Sequence, residues 1–175
     1  MLTEVEINQL IVQLENLGYF KFANEKDLIE LKEDLWFGFK ISEFNPTLDD
    51  DFFSIEKEKR YFMLDHMSVM DRDFVPYFLE EIETLLELLN IDIEDFSIPN
   101  TKNYPTKLCI TVDKVNEILA AKNSEGEQFY IINKDEDLGI ILLTPALQQI
   151  FRTNFSDKND IPMTTNDWLE FYFNK

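Results

Sequence analysis

Between Asp73 and Thr101 the chain carries eight carboxylates and neither Lys nor Arg, so this segment can fold only in a way that keeps those charges in water. Burying an unpaired carboxylate costs far more than any single contact returns. The apolar residues of the same segment supply the solution. Phe74, Phe78, Ile82, Leu85, Leu86 and Leu89 recur at three- and four-residue spacing, while Glu80, Glu83 and Glu87 fall on the other side. The spacing predicts an amphipathic helix over about 73–89 that buries one stripe and presents a carboxylate ridge to solvent. Pro76 is compatible because it lies in the first turn, where a missing N–H loses no helical partner.

Period and caps give the rest of the outline. Thr3 and Glu6 have capping-box spacing, and Ile7, Leu10, Ile11, Leu14 and Leu17 follow on one face, predicting a helix over 3–17 that Gly18 stops. A second helix is expected from Asn24, with Asp27 helping to cap it and Leu28, Leu31, Leu35 and Trp36 as its buried stripe. Residues 41–59, with Pro46, read mostly as loop. Tyr61–Leu64 reads as a short strand, and 91–105, with Pro99, Asn100, Asn103 and Pro105, as a connecting segment. Beyond it, Leu108–Val112 is expected as a strand, followed by a short helix capped by Asp113 that carries Val115, Ile118 and Leu119. Phe129–Ile132 and Ile140–Leu143 pair as a hairpin across the polar turn 133–137, with an edge strand that offers a candidate dimerisation surface. Thr144-Pro145 opens a helix, because Pro at the first helical position surrenders only an unpaired N–H. A last short helix is expected from Thr165 through Trp168, Leu169, Tyr172 and Phe173, with a strand over 168–173 as the alternative. Helices first and mixed elements afterwards describe an α+β fold. Three N-terminal helices pack with a small mixed or antiparallel sheet and short C-terminal helices, in a single domain over 1–175 with a candidate internal boundary at 91–105.

Charge then limits function. The formal net charge is −19, and residues 1–100 hold 24 acidic and 8 basic side chains against 11 and 8 in residues 101–175. A surface of this sign repels nucleic acid and anionic membranes and attracts basic proteins. Glu4, Glu6 and Glu15 precede any Lys or Arg, the wrong charge for a signal or transit peptide, and no apolar run approaches the roughly 20 residues of a membrane span. Cys109 is the only cysteine, so a reducing, cytoplasmic location is expected.

Catalytic chemistry finds little purchase, and no catalytic, metal-binding or cofactor-binding residue is assigned. His66 is the only histidine; with Asp65, Asp71 and Asp73 it makes an incomplete metal set, better read as polar residues bordering a strand. Asn133, Asp135, Asp137 and Gly139 resemble the start of a calcium loop, but Gly139 is one place late and Thr144 stands where the bidentate Glu belongs, so a hairpin turn is the better reading. Cys109, between Leu108 and Ile110, reads as a small buried hydrophobe, and the scattered glycines form no phosphate loop. Met63, Met67 and Met70 read as core filling.

What remains is an interaction module that binds a basic protein. The candidate contact residues are Asp49, Asp50, Asp51 and Phe52, an acidic loop with an aromatic anchor, together with Glu80, Glu83 and Glu87. Small acidic bacterial immunity proteins that inhibit basic toxins have this kind of profile, although no motif here matches one of them. The alternative is an adaptor or structural domain whose acidity serves solubility; a carboxylate- or metal-dependent hydrolase comes third.

Overall fold

In the computed structural model, which describes residues 2–41, 60–65, 74–93, 96–99, 101, 103–122, 125–134, 137–155 and 157–174, the first helix, α1 (Glu4–Asn16), starts from the expected capping box. Thr3 accepts from the Glu6 amide, and the Glu6 carboxylate accepts from the Thr3 amide at 2.7 Å. That bonding also holds the Glu6 carboxyl below its usual range. The helix ends on Gly18 at φ 75°, with the Tyr19 amide reaching back to the Leu14 carbonyl and the Gly18 amide to Glu15. This pair of bonds is a Schellman stop, which needs a left-handed residue at its pivot. One 3-10 turn, Glu25–Asp27, with Asn24 at its N-cap and donating to the Asp27 carboxylate at 3.0 Å, leads into α2 (Leu28–Ile41), so the α-helix proper starts four residues after Asn24. Its buried stripe is Leu31, Leu35, Gly38 and Phe39; Leu28 and Trp36 are half-buried.

Strand β1 (Tyr61–Asp65) follows, then α3 (Phe74–Leu88), α4 (Tyr104–Lys122), β2 (Gln128–Lys134), β3 (Asp137–Leu143), α5 (Pro145–Asn154) and α6 (Thr165–Phe173). The sheet is antiparallel in the order β1-β3-β2, with Tyr61 opposite Ile141 and Phe129 opposite Leu142. Because β3 is central and covered on both faces, it reads Ile140, Ile141, Leu142, Leu143 without a polar interruption. Alternate residues go to opposite layers. Phe62, Leu64, Phe129, Ile131, Ile140 and Leu142 pack with α3, α4 and α6, and Tyr61, Tyr130, Ile132, Ile141 and Leu143 pack with α1, α2 and α5. Each layer thus draws elements from both sides of segment 91–105. The α+β class and the antiparallel hairpin are as expected.

The expected strand at Leu108–Val112 is not there. These residues lie inside α4, and Asp113 is a mid-helix residue, not a cap. The β-branched Ile110, Thr111 and Val112 favour a strand locally, but Leu108, Val112, Val115 and Leu119 repeat at helical spacing and all are buried. Asn103 caps the helix through the Thr106 amide at 3.1 Å, and the Thr111 hydroxyl donates to the Lys107 carbonyl one turn back, so burying it costs little. Asp113 accepts from the Thr165 hydroxyl at 2.6 Å and ties α4 to the start of α6.

The outer edge of β2 is occupied as well. Asn116 of α4 brackets Phe129, accepting from its amide at 2.7 Å and donating to its carbonyl at 3.0 Å. Ile131 exchanges two backbone bonds with Met163. These contacts use the backbone groups through which a further strand would have paired at those positions.

Arg60, immediately before β1, is fully buried. Its guanidinium donates to the carbonyls of Gly18, Tyr19 and Leu142 and to the Glu127 carboxylate at 2.8 Å, and it stacks on the Phe22 ring. One side chain thereby clamps the exit of α1 to the sheet.

Candidate functional site

The carboxylate ridge of α3 is shaped by how that helix ends. Asn90 takes a left-handed conformation at φ 54°; its amide bonds the Glu87 carbonyl and the Ile91 amide reaches the Leu86 carbonyl at 2.8 Å. This is the same Schellman stop as at Gly18, with Asn as the residue that tolerates the left-handed region. The stop brings Ile91 back beside Leu86, the apolar pairing such a motif usually carries, and both are buried. Residues 91–93 then run alongside the helix and enclose a groove of about 470 Å³. Its floor is Leu79, Leu86, Ile91 and Ile93, and its rim is Glu80, Glu83, Glu87 and Asp92.

Glu80, Glu83 and Glu87 therefore come together on one concave surface, as an exposed ridge. Asp49, Asp50, Asp51 and Phe52 lie outside the described residues, as do His66, Asp71, Met67 and Met70. Asp92 was not singled out from the sequence. Its place on the rim depends on the Asn90 stop, whose only signal is an Asn directly after the last apolar residue of a helical stripe.

Among the described residues, the acidic helices of the N-terminal half lie on both faces of the sheet, α1 and α2 on one and α3 on the other. On α1 and α2 the carboxylates are partly neutralised, Glu15 by Lys32 at 2.7 Å and Glu4 by Lys40 at 3.7 Å. Among the described residues no Lys or Arg pairs with Glu80, Glu83, Glu87 or Asp92. Two lysines of α4 do reach the segment after α3, but they bind its backbone: Lys122 donates to the Asp92 carbonyl at 2.6 Å and Lys114 to that of Ser97. The last turn of α3 also lacks a basic residue, so the negative end of the helix dipole adds to the field of the rim.

Other places in the molecule offer less. A second concavity of about 420 Å³ mixes Arg152 and Lys158 with Asp167 and Glu170, and Arg152 lies 3.7 Å from Asp167. Among the described residues, no three His, Cys, Asp or Glu side chains are grouped to hold a metal. Cys109 is buried in α4 with its thiol against the Thr165 carbonyl; burial, and then the Asp113 charge, push its pKa up to about 12. At neutral pH it is a thiol and packs as a hydrophobe. No helix among the described residues is long and apolar enough to cross a membrane. Searches of family models, curated proteins and solved structures give no match to this chain.

Proposed function

We propose that this chain is an interaction module that captures a basic protein in the groove beside α3. The observation that carries the reading is a difference in pairing: Glu4 and Glu15 of α1 have lysine partners on α2, while the carboxylates on the groove rim stand over an apolar floor without one among the described residues. Like charges held together repel, and an incoming Lys or Arg relieves that repulsion. Binding of this kind is fast and weakens with salt. An inhibitor of the immunity type is one form such a module takes, since an acidic ridge seated on a basic active site would block it, and a cytoplasmic site of action suits the single thiol.

The test is retention of basic proteins from native lysate by the wild-type chain and by the triple variant Glu80→Gln, Glu83→Gln, Glu87→Gln, at low and moderate salt. The reading expects a basic protein held at low salt by the wild type alone. Equal retention by the triple variant would remove the groove from consideration. A second reading, the adaptor that docks through an apolar surface, draws on the exposure of Val5 (66%), Val12 (55%), Ile29 (73%) and Phe37 (47%) on α1 and α2. Its signature is retention that salt does not weaken.

A further inference from the structure

We infer that the occupant of the groove is an α-helix of the partner that lays one large apolar side chain on the floor between Lys or Arg residues two turns apart. This rests on the reading of the groove as the site for a basic partner and goes further by specifying the partner's conformation and pattern. Three features of the groove lead to it.

The first is the floor. A purely electrostatic contact needs only carboxylates, yet here the rim surrounds Leu79 and Ile93, both half-buried and open to the groove. Covering them takes an apolar side chain, so a flexible polybasic segment would leave the floor wet.

The second is the wall made by α3, whose amides and carbonyls bond within the helix and its stop. An extended occupant laid along that helix would press its own N–H and C=O groups against side chains that cannot satisfy them, whereas a helical occupant satisfies them internally.

The third is spacing. Glu80 and Glu87 are seven residues apart on one helix, about 10.5 Å at 1.5 Å per residue. A partner helix with Lys or Arg at i and i+7 repeats that interval, and its residue at i+3 or i+4 projects between them.

Three labelled synthetic peptides of equal charge test this by fluorescence anisotropy at low salt: an Ala-rich helix with Lys at i and i+7 and Leu at i+3, the same peptide with Leu→Ala, and the Leu peptide with a central Pro that breaks the helix. The Leu helix should bind about tenfold more tightly than either control, since burying a Leu side chain supplies at least the ~1.4 kcal/mol that a factor of ten requires. Ile93→Ser should erase that preference, and Glu83→Gln with Glu87→Gln should weaken all three peptides. If the three peptides bind equally well and the glutamate variant weakens them, the helix and its anchor are wrong while the basic-partner reading survives. If none binds the wild-type chain, both fall. If the Leu helix binds the glutamate variant undiminished, its site is elsewhere and the assignment to this groove is overturned.

Discussion

At the scale of single residues, the firmest interaction is the pairing of Arg60 with Glu127, both effectively sealed from solvent. Removing one member of a buried pair leaves the other charge without compensation, so Glu127→Ala should cost about 3–5 kcal/mol in urea unfolding. Lys21→Met, which removes a partly exposed contact to the same carboxylate, should cost far less. Burial alone would raise the Glu127 pKa, but Lys21 and Arg60 together outweigh it and hold the carboxyl below its ordinary value. A depressed folded-state pKa means that the stabilisation is complete above the unfolded value and is lost as pH falls through the folded one. Glu127→Gln should therefore flatten the acid limb of the stability profile; an unchanged limb would show that other carboxylates set it. Gly139 gives a second residue-scale test. An added Cβ would sit 2.5 Å from the Tyr61 ring, and that ring is buried, so Gly139→Ala should destabilise by about 1–3 kcal/mol. Tyr61→Leu should recover part of the loss in a double-mutant cycle. Neither role is visible in the sequence, where Arg60 ends the charged run Glu56, Lys57, Glu58, Lys59, and Gly139 reads as part of a turn.

At the scale of elements, what was legible was what local chemistry decides. The Thr3-Glu6 capping box, the Thr144 cap with its Pro, the glycine stop after α1 and the amphipathic stripe of α3 each placed an element from within a few residues. The failure at Leu108–Val112 has the opposite origin. Three consecutive β-branched residues point to a strand, and the helical repeat of Leu108, Val112, Val115 and Leu119 prevails over them because α6 and the sheet, both distant in sequence, bury it. The stop of α3 lies between these cases, because Asn90 can be read as a cap but the groove it creates cannot. Its conformation makes a prediction. At φ 54° a Gly is at least as comfortable as Asn, so Asn90→Gly should hold or slightly raise stability, whereas Asn90→Val should cost about 1–2 kcal/mol. If the groove depends on that stop, Asn90→Val should also weaken binding of the Leu helix peptide under conditions where the variant remains folded. Thermal unfolding together with peptide titration measures both effects on one pair of samples.

At the scale of the whole molecule, the question is whether the unpaired ridge is tolerated or retained for use. Ample lysine is at hand: α4 sends Lys122 and Lys114 to the segment beside the groove, and both bind carbonyls while the rim stays unpaired among the described residues. Within α3, Glu80 with Glu83 and Glu83 with Glu87 are like-charge neighbours at three- and four-residue spacing, each pair destabilising by about 0.2–0.5 kcal/mol. They stand on a chain of net charge −19 and beside the negative end of a helix dipole. The triple glutamine variant should accordingly be more stable than the wild type, by about 0.5–1 kcal/mol at low ionic strength. The gain should shrink as salt screens the repulsion. A surface that lowers stability marks a functional site more clearly than a neutral one does. The decisive combination is a variant that unfolds at a higher denaturant concentration and no longer holds the peptide. Should the variant unfold earlier than the wild type, the three glutamates support the fold, and the case for the ridge as a binding surface loses its energetic basis.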